Sequence, residues 1–480
     1  MLFTSFKFVL FFPAVSLIYF LLPQKFRIHF LITASYFFYL NSIPLFALLL
    51  FATTMITFGA AYLIENSTDE KKRKLYLILT VILSVSTLSL FKYYYFINQT
   101  IFTALTWMGI RWNFPEIKLL LPLGISYFTF QTLGYLFDVY NHTTKAEQSF
   151  KYYLLFVSFF PTIVSGPIER SGNMIPQYKK GATFAYMNVV QGLKWMLWGY
   201  FMKLVVADGL GNYVDEIYGS AQFQSSPTLL FVVVLYPMQL YCDFNGYSNI
   251  AIGVAKILGF EVMQNFRRPY LFSTSITNFW RRNHISFSTW LTDYIYTPLT
   301  IKYRYWGMKG LVLSVIITFL IAGIWHGAGW TFVIYGLIHG IMLSFEAVNQ
   351  KRRNKFEKKW SIKESWWYIG ITCIFTYALV CFSFVFFRSS SIHDASTVIA
   401  TIFSNNGVLN LGGSTARLAF SLATLAMVIL TDFRDEYHPS KILLFESKFR
   451  TIRWSAYITT ALLLLLLGNF GSDKFIYFQF

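Results

Sequence analysis

The fold class of this chain is decided by residues 310–340, "GLVLSVIITFLIAGIWHGAGWTFVIYGLIHG". This stretch covers an apolar run at 310–325 and most of a second run at 330–348. Between the two runs, His326 is followed by the small residues GAG (327–329). Glycine is unfavourable inside a helix, so the pattern predicts two membrane helices with a break between them. We expect His326 to lie at this break, where its side chain can face a cavity.

The rest of the 480-residue chain has the same apolar character. Hydrophobic residues make up 55% of it and charged residues only 13%, whereas about a quarter of a soluble protein is charged. Some of its apolar runs are shorter than the roughly 20 residues that cross a bilayer, which suggests tilted or re-entrant segments. The candidate spans are 2–22, 28–40, 43–64, 75–98, 117–137, 151–166, 187–206, 228–242, 310–325, 330–348, 366–388, 415–431 and 452–470. The sequence therefore predicts an all-α, polytopic integral membrane protein with roughly 11–13 transmembrane or re-entrant helices.

The net charge of +18 follows from basic residues that cluster in short loops. Three such loops are "PQKFR" (23–27), "DEKKRK" (69–74) and "KRRNKFEKKWSIK" (351–363). Basic loops of membrane proteins lie in the cytoplasm, so the pattern predicts an extracytoplasmic N-terminus in the cell membrane and contact with membrane lipids, without nucleic-acid binding. A basic funnel that attracts an anionic substrate remains open as an additional explanation.

Cys242, Cys373 and Cys381 are the three cysteines, and they lack the paired spacing of a zinc site or a disulfide framework. We expect no metal. Residues 1–22 have the apolar run of a signal peptide but no small-residue cleavage site, so we interpret them as a retained first span.

Residues 265–299 differ from the apolar spans because they are rich in Arg, Trp and Tyr. Within this segment, "TNFWRRNHISFSTWLTDYIYTPL" (277–299) places large hydrophobic residues at helical spacing with arginines opposite. This pattern predicts an amphipathic helix at the cytoplasmic surface.

Three of the seven histidines are candidate functional groups. A neutral imidazole can act as a general base, and ionisable groups within membrane spans are functional by default. By this reasoning His326 is a candidate general base. The alternative is a buried histidine that only donates a hydrogen bond to a carbonyl. His339 is followed by Gly340 and preceded by Gly336, so a packing face of small residues explains it equally well. His284, in the predicted amphipathic segment, is by itself a surface histidine, and a buried aspartate among Asp138, Asp208, Asp243 and Asp293 could orient one of these rings.

Six ordered stretches of the chain resemble the membrane-bound O-acyltransferase family, and within it the bacterial branch of alginate and peptidoglycan O-acetyltransferases. They are "LPLGISYFTFQTLGYLFDVY" (121–140), "FVSFFPTIVSGPIERSGNMIPQY" (156–178), "CDFNGYSNIAIGVAKILGFEVMQNFRRPY" (242–270), "FWRRNHISFSTWLTDYIYTPL" (279–299), "GIWHGAGWTFVIYGLIHG" (323–340) and "FIYFQF" (475–480). The resemblance implies one membrane domain over 1–480 whose helices surround a central tunnel. In this division the N-terminal helices are 1–120, the catalytic core is 121–348 and the C-terminal helices are 366–480.

The resemblance also assigns roles to residues. The histidine of the "WHG" motif is catalytic, which corresponds to His326, and the histidine of the "RRxHIS" motif is the second essential group, which corresponds to His284. His339, Asp293 and Trp325 are possible supporting residues. The chain departs from the branch at Asn283, where Trp is usual, and at Thr292, where Arg is common.

The implied chemistry is acyl transfer from acetyl-CoA, as a donor substrate without a bound cofactor, to hydroxyls of an extracytoplasmic polysaccharide. Four arginines are expected to bind the CoA phosphates, or equally well lipid headgroups, namely Arg281, Arg282, Arg267 and Arg268. In the resembling systems a separate extracytoplasmic transferase of the SGNH type receives the acetyl group, so we expect such a partner, for which "DKFIYFQF" (473–480) is a candidate docking segment.

Two alternatives remain at this point. The chain could transfer another acyl group, as in D-alanyl transfer to teichoic acid or lipid esterification. It could also transport the acyl group, although no internal repeat indicates a transporter.

Overall fold

The structure is a computed structural model in which every regular element of the described residues is helical. It describes residues 1–41, 43–110, 119–404, 407–437 and 444–470. These residues form two compact units, Met1–Gly192 with Ala251–Met263 and Leu193–Ile250 with Gln264–Phe480, which are described separately. The prediction of an all-α fold is confirmed.

The first unit contains nine complete α-helices among its described residues. They are α1 (Phe6–Leu21), α2 (Gln24–Leu40), α3 (Pro44–Asn66), α4 (Glu70–Lys92), α5 (Tyr94–Trp107), α6 (Ile125–Tyr140), α7 (Phe150–Ser158), α8 (Phe160–Ile163) and α9 (Ser171–Lys180). The buried hydroxyl of Tyr153 donates to Thr57 Oγ1 at 2.8 Å, and Gln131 Nε2 donates to the carbonyl of Phe156 at 2.7 Å. Such bonds satisfy polar groups that would otherwise destabilise an apolar interior.

The second unit contains the sequence of the opening motif. Two helices cross the division between the units, α10 (Tyr186–Tyr200) and α12 (Ser226–Ile257). The others are α11 (Asp208–Gly219), α13 (Ile276–Arg282), α14 (Ile285–Leu291), α15 (Thr297–Lys302), α16 (Gly307–His326), α17 (Trp330–Lys359), α18 (Trp366–Arg388), α19 (Ile392–Ser404), α20 (Thr415–Tyr437) and α21 (Arg450–Leu467). A π-helical segment, Phe201–Ala207, joins α10 to α11.

Seven helical segments of the described residues are long and apolar enough to cross a membrane. They are Pro44–Asn66, Glu70–Lys92, Ser226–Ile257, Arg304–His326, Trp330–Lys359, Trp366–Arg388 and Thr415–Tyr437. Several helices expose large apolar side chains, as α4 does at Leu79 (55% exposed) and Ile82 (56% exposed). Water would disfavour such a surface but hydrocarbon does not, so the chain is a multi-pass membrane protein. The expected span 151–166 is not one continuous helix, because it is divided between the short helices α7 and α8.

The two apolar runs of the opening motif form a closely packed helical hairpin. α16 ends at His326 and α17 begins at Trp330, as the glycine-rich break predicts. A Cβ atom on Gly323 would lie 2.3 Å from the carbonyl oxygen of Phe332, and one on Gly336 would lie 2.3 Å from that of Phe319. The small residues therefore allow the two backbones to approach closely.

Residues 265–299 do not form the single amphipathic helix that their periodicity predicts. The segment contains α13, α14, a π-helical turn at Thr292–Tyr296 and the start of α15, with a break at Asn283 and His284. His284 has a left-handed backbone conformation, with φ 45° and ψ 55°. The apolar stripe is nevertheless buried, at Phe279, Trp280, Phe287, Trp290 and Leu291. The arginine-rich segment is thus folded into the second unit.

Candidate active site

α17 is the element that orders the polar groups of the candidate site. The carboxylate of Glu346 accepts hydrogen bonds from the backbone N–H groups of Ile276 (2.6 Å) and Thr277 (2.9 Å), so it caps the N-terminus of α13. His339 and Tyr335 follow two and three turns nearer to the start of α17. With a rise of about 1.5 Å per residue, Glu346 and Tyr335 are about 16 Å apart along the helix axis. α13 therefore begins beside Glu346 of α17 and runs along α17 towards His339.

His339 is completely buried, and both of its ring nitrogens have protein partners. The indole N–H of Trp280 donates to His339 Nδ1 at 3.2 Å, and Ser383 Oγ lies 3.0 Å from His339 Nε2. An indole nitrogen can only donate, so Nδ1 is the acceptor and the proton is on Nε2. Nε2 then donates to Ser383, whose hydroxyl donates to the carbonyl of Val380 at 2.8 Å. This chain of bonds connects α13, α17 and α18 and accounts for both nitrogens of the ring.

His284 is also buried, with 1% of its surface exposed, but its two nitrogens differ. Nδ1 lies 3.2 Å from Asn265 Oδ1, which also accepts from the backbone N–H (3.2 Å) and the hydroxyl (2.8 Å) of Ser286. This oxygen is therefore an acceptor, so His284 Nδ1 donates to it and Nε2 carries the lone pair. Burial lowers the pKa of His284 to about 3, so the ring is neutral at physiological pH.

His326 closes α16 and is enclosed by aromatic side chains. Its ring centroid lies 5.1 Å from Trp325, 5.3 Å from Phe287, 5.4 Å from Phe387 and 5.8 Å from Tyr335. The residue is 4% exposed, so it is not a lipid-facing side chain. The hairpin break positions this ring among residues from α14, α17 and α18.

The structure brings His284 and His326 to one aromatic cluster. Phe287 lies 5.0 Å from the His284 ring and 5.3 Å from the His326 ring, and Trp325 lies 5.8 Å and 5.1 Å from them. His339 contacts neither of these two aromatic residues in the described contacts and packs instead against Tyr335, at 4.7 Å. The arrangement therefore pairs the first two histidines and places the third behind Tyr335.

The aspartates named from the sequence lie in different surroundings. Asp293 is exposed. Asp208 and Asp243 are buried and both bind the ammonium group of Lys203, with a Lys203 Nζ to Asp208 Oδ1 distance of 2.7 Å. Sequence reasoning missed Lys203, although a lysine within the apolar run 187–206 is itself a signal of a special site.

The four arginines divide into two pairs. Arg268 Nε and Arg282 Nη2 bind the two oxygens of the Glu436 carboxylate at 2.9 Å and 2.8 Å. Arg267 and Arg281 are exposed. The second pair is therefore available to a phosphate at the surface, whereas the first is bound to a carboxylate within the protein.

Asn265 is a further site residue that sequence reasoning did not single out. Its amide oxygen determines the His284 tautomer, and its side chain is 1% exposed. The only local signal is an asparagine beside the aromatic and basic residues of "QNFRRPY" (264–270). The fold is needed to show its role, because its partner His284 lies 19 residues further along the chain.

Comparison with known proteins identifies the family of the chain. Residues 146–388 match the model of "MBOAT, membrane-bound O-acyltransferase family". A Pseudomonas putida protein named "Probable alginate O-acetylase AlgI" is 31% identical over an alignment 511 positions long, which covers all of both chains. The "Peptidoglycan O-acetyltransferase" of Helicobacter pylori is 32% identical and covers 79% of this chain and 74% of its own. The "Teichoic acid D-alanyltransferase" of Bacillus subtilis is 29% identical and covers 58% and 71%.

The helical membrane fold and the full-length similarity lead to the same conclusion. The family model covers the hairpin and all three histidines, and the acetyltransferase relatives extend the match over most or all of the chain. The chain belongs to the membrane-bound O-acyltransferase family and is a multi-pass membrane O-acyltransferase.

Proposed function

We propose that this enzyme moves an acetyl group from cytoplasmic acetyl-CoA towards the hydroxyl groups of an extracytoplasmic polysaccharide, together with a partner transferase. The observation that carries the proposal is the convergence of His284 and His326 on Phe287 and Trp325. A thioester is already an activated acyl donor, so the enzyme mainly has to orient an alcohol and remove its proton. Two buried imidazoles on one cluster can perform both tasks.

The charge of α17 supports the direction of transfer. The helix ends in the basic stretch Lys351–Lys359, and its start at Trp330 lies about 32 Å from Lys351 along the axis. Basic segments lie in the cytoplasm, which directs this end inwards and the His326 end towards the outer face of the cell membrane. The same rule supports an extracytoplasmic N-terminus. The exposed Arg267 and Arg281 are proposed to bind CoA phosphates.

The tautomer of His284 suggests distinct roles for the two histidines. His326 accepts the proton of the acceptor hydroxyl, whose oxygen attacks the thioester carbonyl. The carbon–sulfur bond then breaks, and the proton passes to the departing thiolate, giving an ester and free CoA. Neutral His284 has its lone pair on Nε2, so it can accept a hydrogen bond from the acceptor hydroxyl but cannot donate one from that atom to the thioester oxygen. His284 is therefore proposed to orient the acceptor.

A partner protein belongs to this proposal. As the family resemblance implies, an extracytoplasmic transferase of the SGNH type receives the acetyl group and completes the transfer to the polysaccharide. The segment named for its docking, residues 473–480, lies outside the described residues.

D-alanyl transfer to teichoic acid is the second candidate. It is favoured by the similarity to the Bacillus subtilis D-alanyltransferase over 58% of this chain. The two candidates differ in the donor, which is acetyl-CoA in one case and a D-alanyl thioester on a carrier protein in the other. Supplying each donor to the same proteoliposomes distinguishes them.

The test of the mechanism uses purified protein in proteoliposomes with radiolabelled acetyl-CoA. We expect His326→Ala to lower thioester turnover by at least about 100-fold, the loss typical of a general base. His393→Ala is the matched control, because His393 is exposed and is not part of the histidine cluster. Both variants must elute as the wild type does in size-exclusion chromatography. Wild-type turnover in His326→Ala would contradict the mechanism, and absence of acetyl-CoA cleavage in the wild type would contradict the donor.

A further inference from the structure

Three large apolar side chains protrude from one end of the second unit. Phe223, Phe403 and Val408 are 82%, 82% and 83% exposed. Phe223 ends a short 3₁₀ turn before α12, Phe403 lies in the last turn of α19, and Val408 follows α19 in the chain. These three residues are called the loop patch.

Hydrogen bonds hold the segments of the loop patch together. Ser225 Oγ donates to the carbonyl of Val408 at 2.5 Å, and Ser226 Oγ donates to the carbonyl of Ile402 at 2.6 Å. Ile402 is next to Phe403, and both donors follow Phe223 within three residues. The three apolar side chains therefore belong to one surface whose backbone is fixed by the fold.

The loop patch lies at the extracytoplasmic end of the unit. α18 begins at Trp366, shortly after the basic end of α17, and is long enough to cross the membrane before it ends at Arg388. Basic segments are cytoplasmic, so Arg388 is at the outer face. α19 begins three residues later, and its last turn is bonded to the start of α12. The patch is therefore at this outer face.

Polar residues surround the loop patch, which distinguishes it from a lipid-facing surface. α19 buries Ala395 in an apolar cluster of the protein and exposes Ser396 and Ser404. Gln222, beside Phe223, and Asn410, two residues after Val408, are also exposed. An exposed apolar patch with a polar rim is typical of a protein–protein interface.

The sequence around the loop patch is uncharged. Residues 217–242 and 395–416 contain no Asp, Glu, Lys, Arg or His. Such a surface offers no ion pair to a polyanionic glycan or to an anionic lipid headgroup. Charged residues are also depleted at the centres of protein interfaces. The observations favour a protein with an apolar patch of its own as the occupant.

The loop patch adjoins the outer end of the candidate site. Phe387 lies 5.4 Å from the His326 ring and is followed by Arg388, which binds Asp215 Oδ1 at 2.7 Å. The guanidinium of Arg388 also lies 5.2 Å from the ring of Tyr218, three residues before the 3₁₀ turn of the patch. The end of α18 thus connects the surroundings of His326 with the patch.

We propose that the loop patch is the docking surface for the extracytoplasmic partner transferase, with Phe223 and Phe403 as its anchors. This inference rests on the proposed function, in which a separate protein on the outer face receives the acetyl group. Docking here brings the partner to the outer end of α18, beside the neighbours of His326.

The first test asks what covers the loop patch. Val408→Cys is treated with a membrane-impermeant maleimide in intact cells of the native host and in intact cells of a host that makes no O-acetylated polysaccharide. The three native cysteines are buried, so they contribute little labelling. We expect labelling in the second host and protection in the native one. Labelling in both hosts would exclude a partner on the patch, and protection in both would show lipid cover or a cytoplasmic location, so either result would overturn the proposal.

The second test separates docking from thioester chemistry. The double variant Phe223→Ser/Phe403→Ser changes only exposed side chains, so its melting temperature and its acetyl-CoA cleavage in proteoliposomes should equal those of the wild type. In native cells, we expect the O-acetyl content of the envelope polysaccharide, measured as acetate released by base, to fall by about 10-fold or more, the effect of losing interface anchors.

Phe375→Ser is the matched control. Phe375 is 64% exposed in the middle of α18, within a membrane span and away from the loops, so this variant should keep the O-acetyl content of the wild type. Wild-type O-acetyl content in the double variant would overturn the docking surface and leave the proposed function intact. Loss of acetyl-CoA cleavage in the folded double variant would also overturn it, because the two residues would then act in the chemistry. Absence of acetyl-CoA cleavage in the wild type would overturn the proposed function and the docking surface together.

Discussion

Replacing His339 with leucine tests whether this histidine maintains structure or takes part in chemistry. The substitution removes both ring nitrogens and keeps a side chain of similar volume, so a cavity contributes little. The indole N–H of Trp280 loses its acceptor while it remains buried, and Ser383 loses one of its two hydrogen bonds. A stranded buried donor costs about 1–3 kcal/mol and a lost neutral bond about 0.5–1.5 kcal/mol, so we expect a loss of about 2–4 kcal/mol in the free energy of unfolding.

A double-mutant cycle with Trp280 isolates the bond itself. Trp280→Phe strands the Nδ1 lone pair of His339, and the double variant Trp280→Phe/His339→Leu removes both partners together. Removing both partners costs less than the sum of the single losses, so we expect a coupling energy of about 1–2 kcal/mol.

The assay combines denaturant unfolding in detergent with acetyl-CoA turnover corrected for the folded fraction. If His339 maintains structure, the corrected turnover of His339→Leu falls far less than that of His326→Ala, and His339→Gln, which retains a donor and an acceptor, recovers part of the stability. Additive unfolding energies within about 0.5 kcal/mol would refute the bond as a stabilising interaction. Abolished turnover in fully folded His339→Leu would refute the structural assignment.

Three further predictions concern other parts of the fold. Because burial lowers the pKa of His284 to about 3 from an unfolded value near 6.5, protonation favours the unfolded state as the pH falls below 6.5. We therefore expect His284→Asn to reduce the acid-side loss of stability by about 2 kcal/mol at pH 5 in unfolding titrations, and an undiminished acid-side loss would contradict this. Gly336→Ala should disrupt the α16–α17 hairpin and lower the melting temperature, whereas Gly370→Ala, with no atom within 4 Å of its new Cβ, should not; equal melting temperatures would contradict the close helix crossing. Lys203→Met strands two buried carboxylates and should cost about 3–5 kcal/mol of stability, which the yield of folded protein in size-exclusion chromatography reports, and a wild-type yield would show that the ion pairs contribute little.

Much of the architecture follows from local sequence alone. Apolar runs determine the membrane class because each helix in hydrocarbon must bond its own backbone, and the glycine-rich break locates the hairpin turn at His326. The sequence of 265–299 was insufficient because an apolar stripe opposite polar residues has the same periodicity on one surface helix as on short helices folded into the protein. The structure shows the second case, with a left-handed residue at His284 that periodicity cannot reveal.

The chemical state of each histidine was decided by tertiary contacts. Asn265 fixes the tautomer of His284 from 19 residues away, and Trp280 and Ser383 occupy both nitrogens of His339 from 59 and 44 residues away. The sequence by itself determined which residues could carry acyl transfer and that they belong to membrane helices. Only the folded chain decided which imidazole keeps a lone pair beside His326 and which one joins three helices, because hydrogen-bond partners at such separations are set by packing between helices rather than by spacing along one of them.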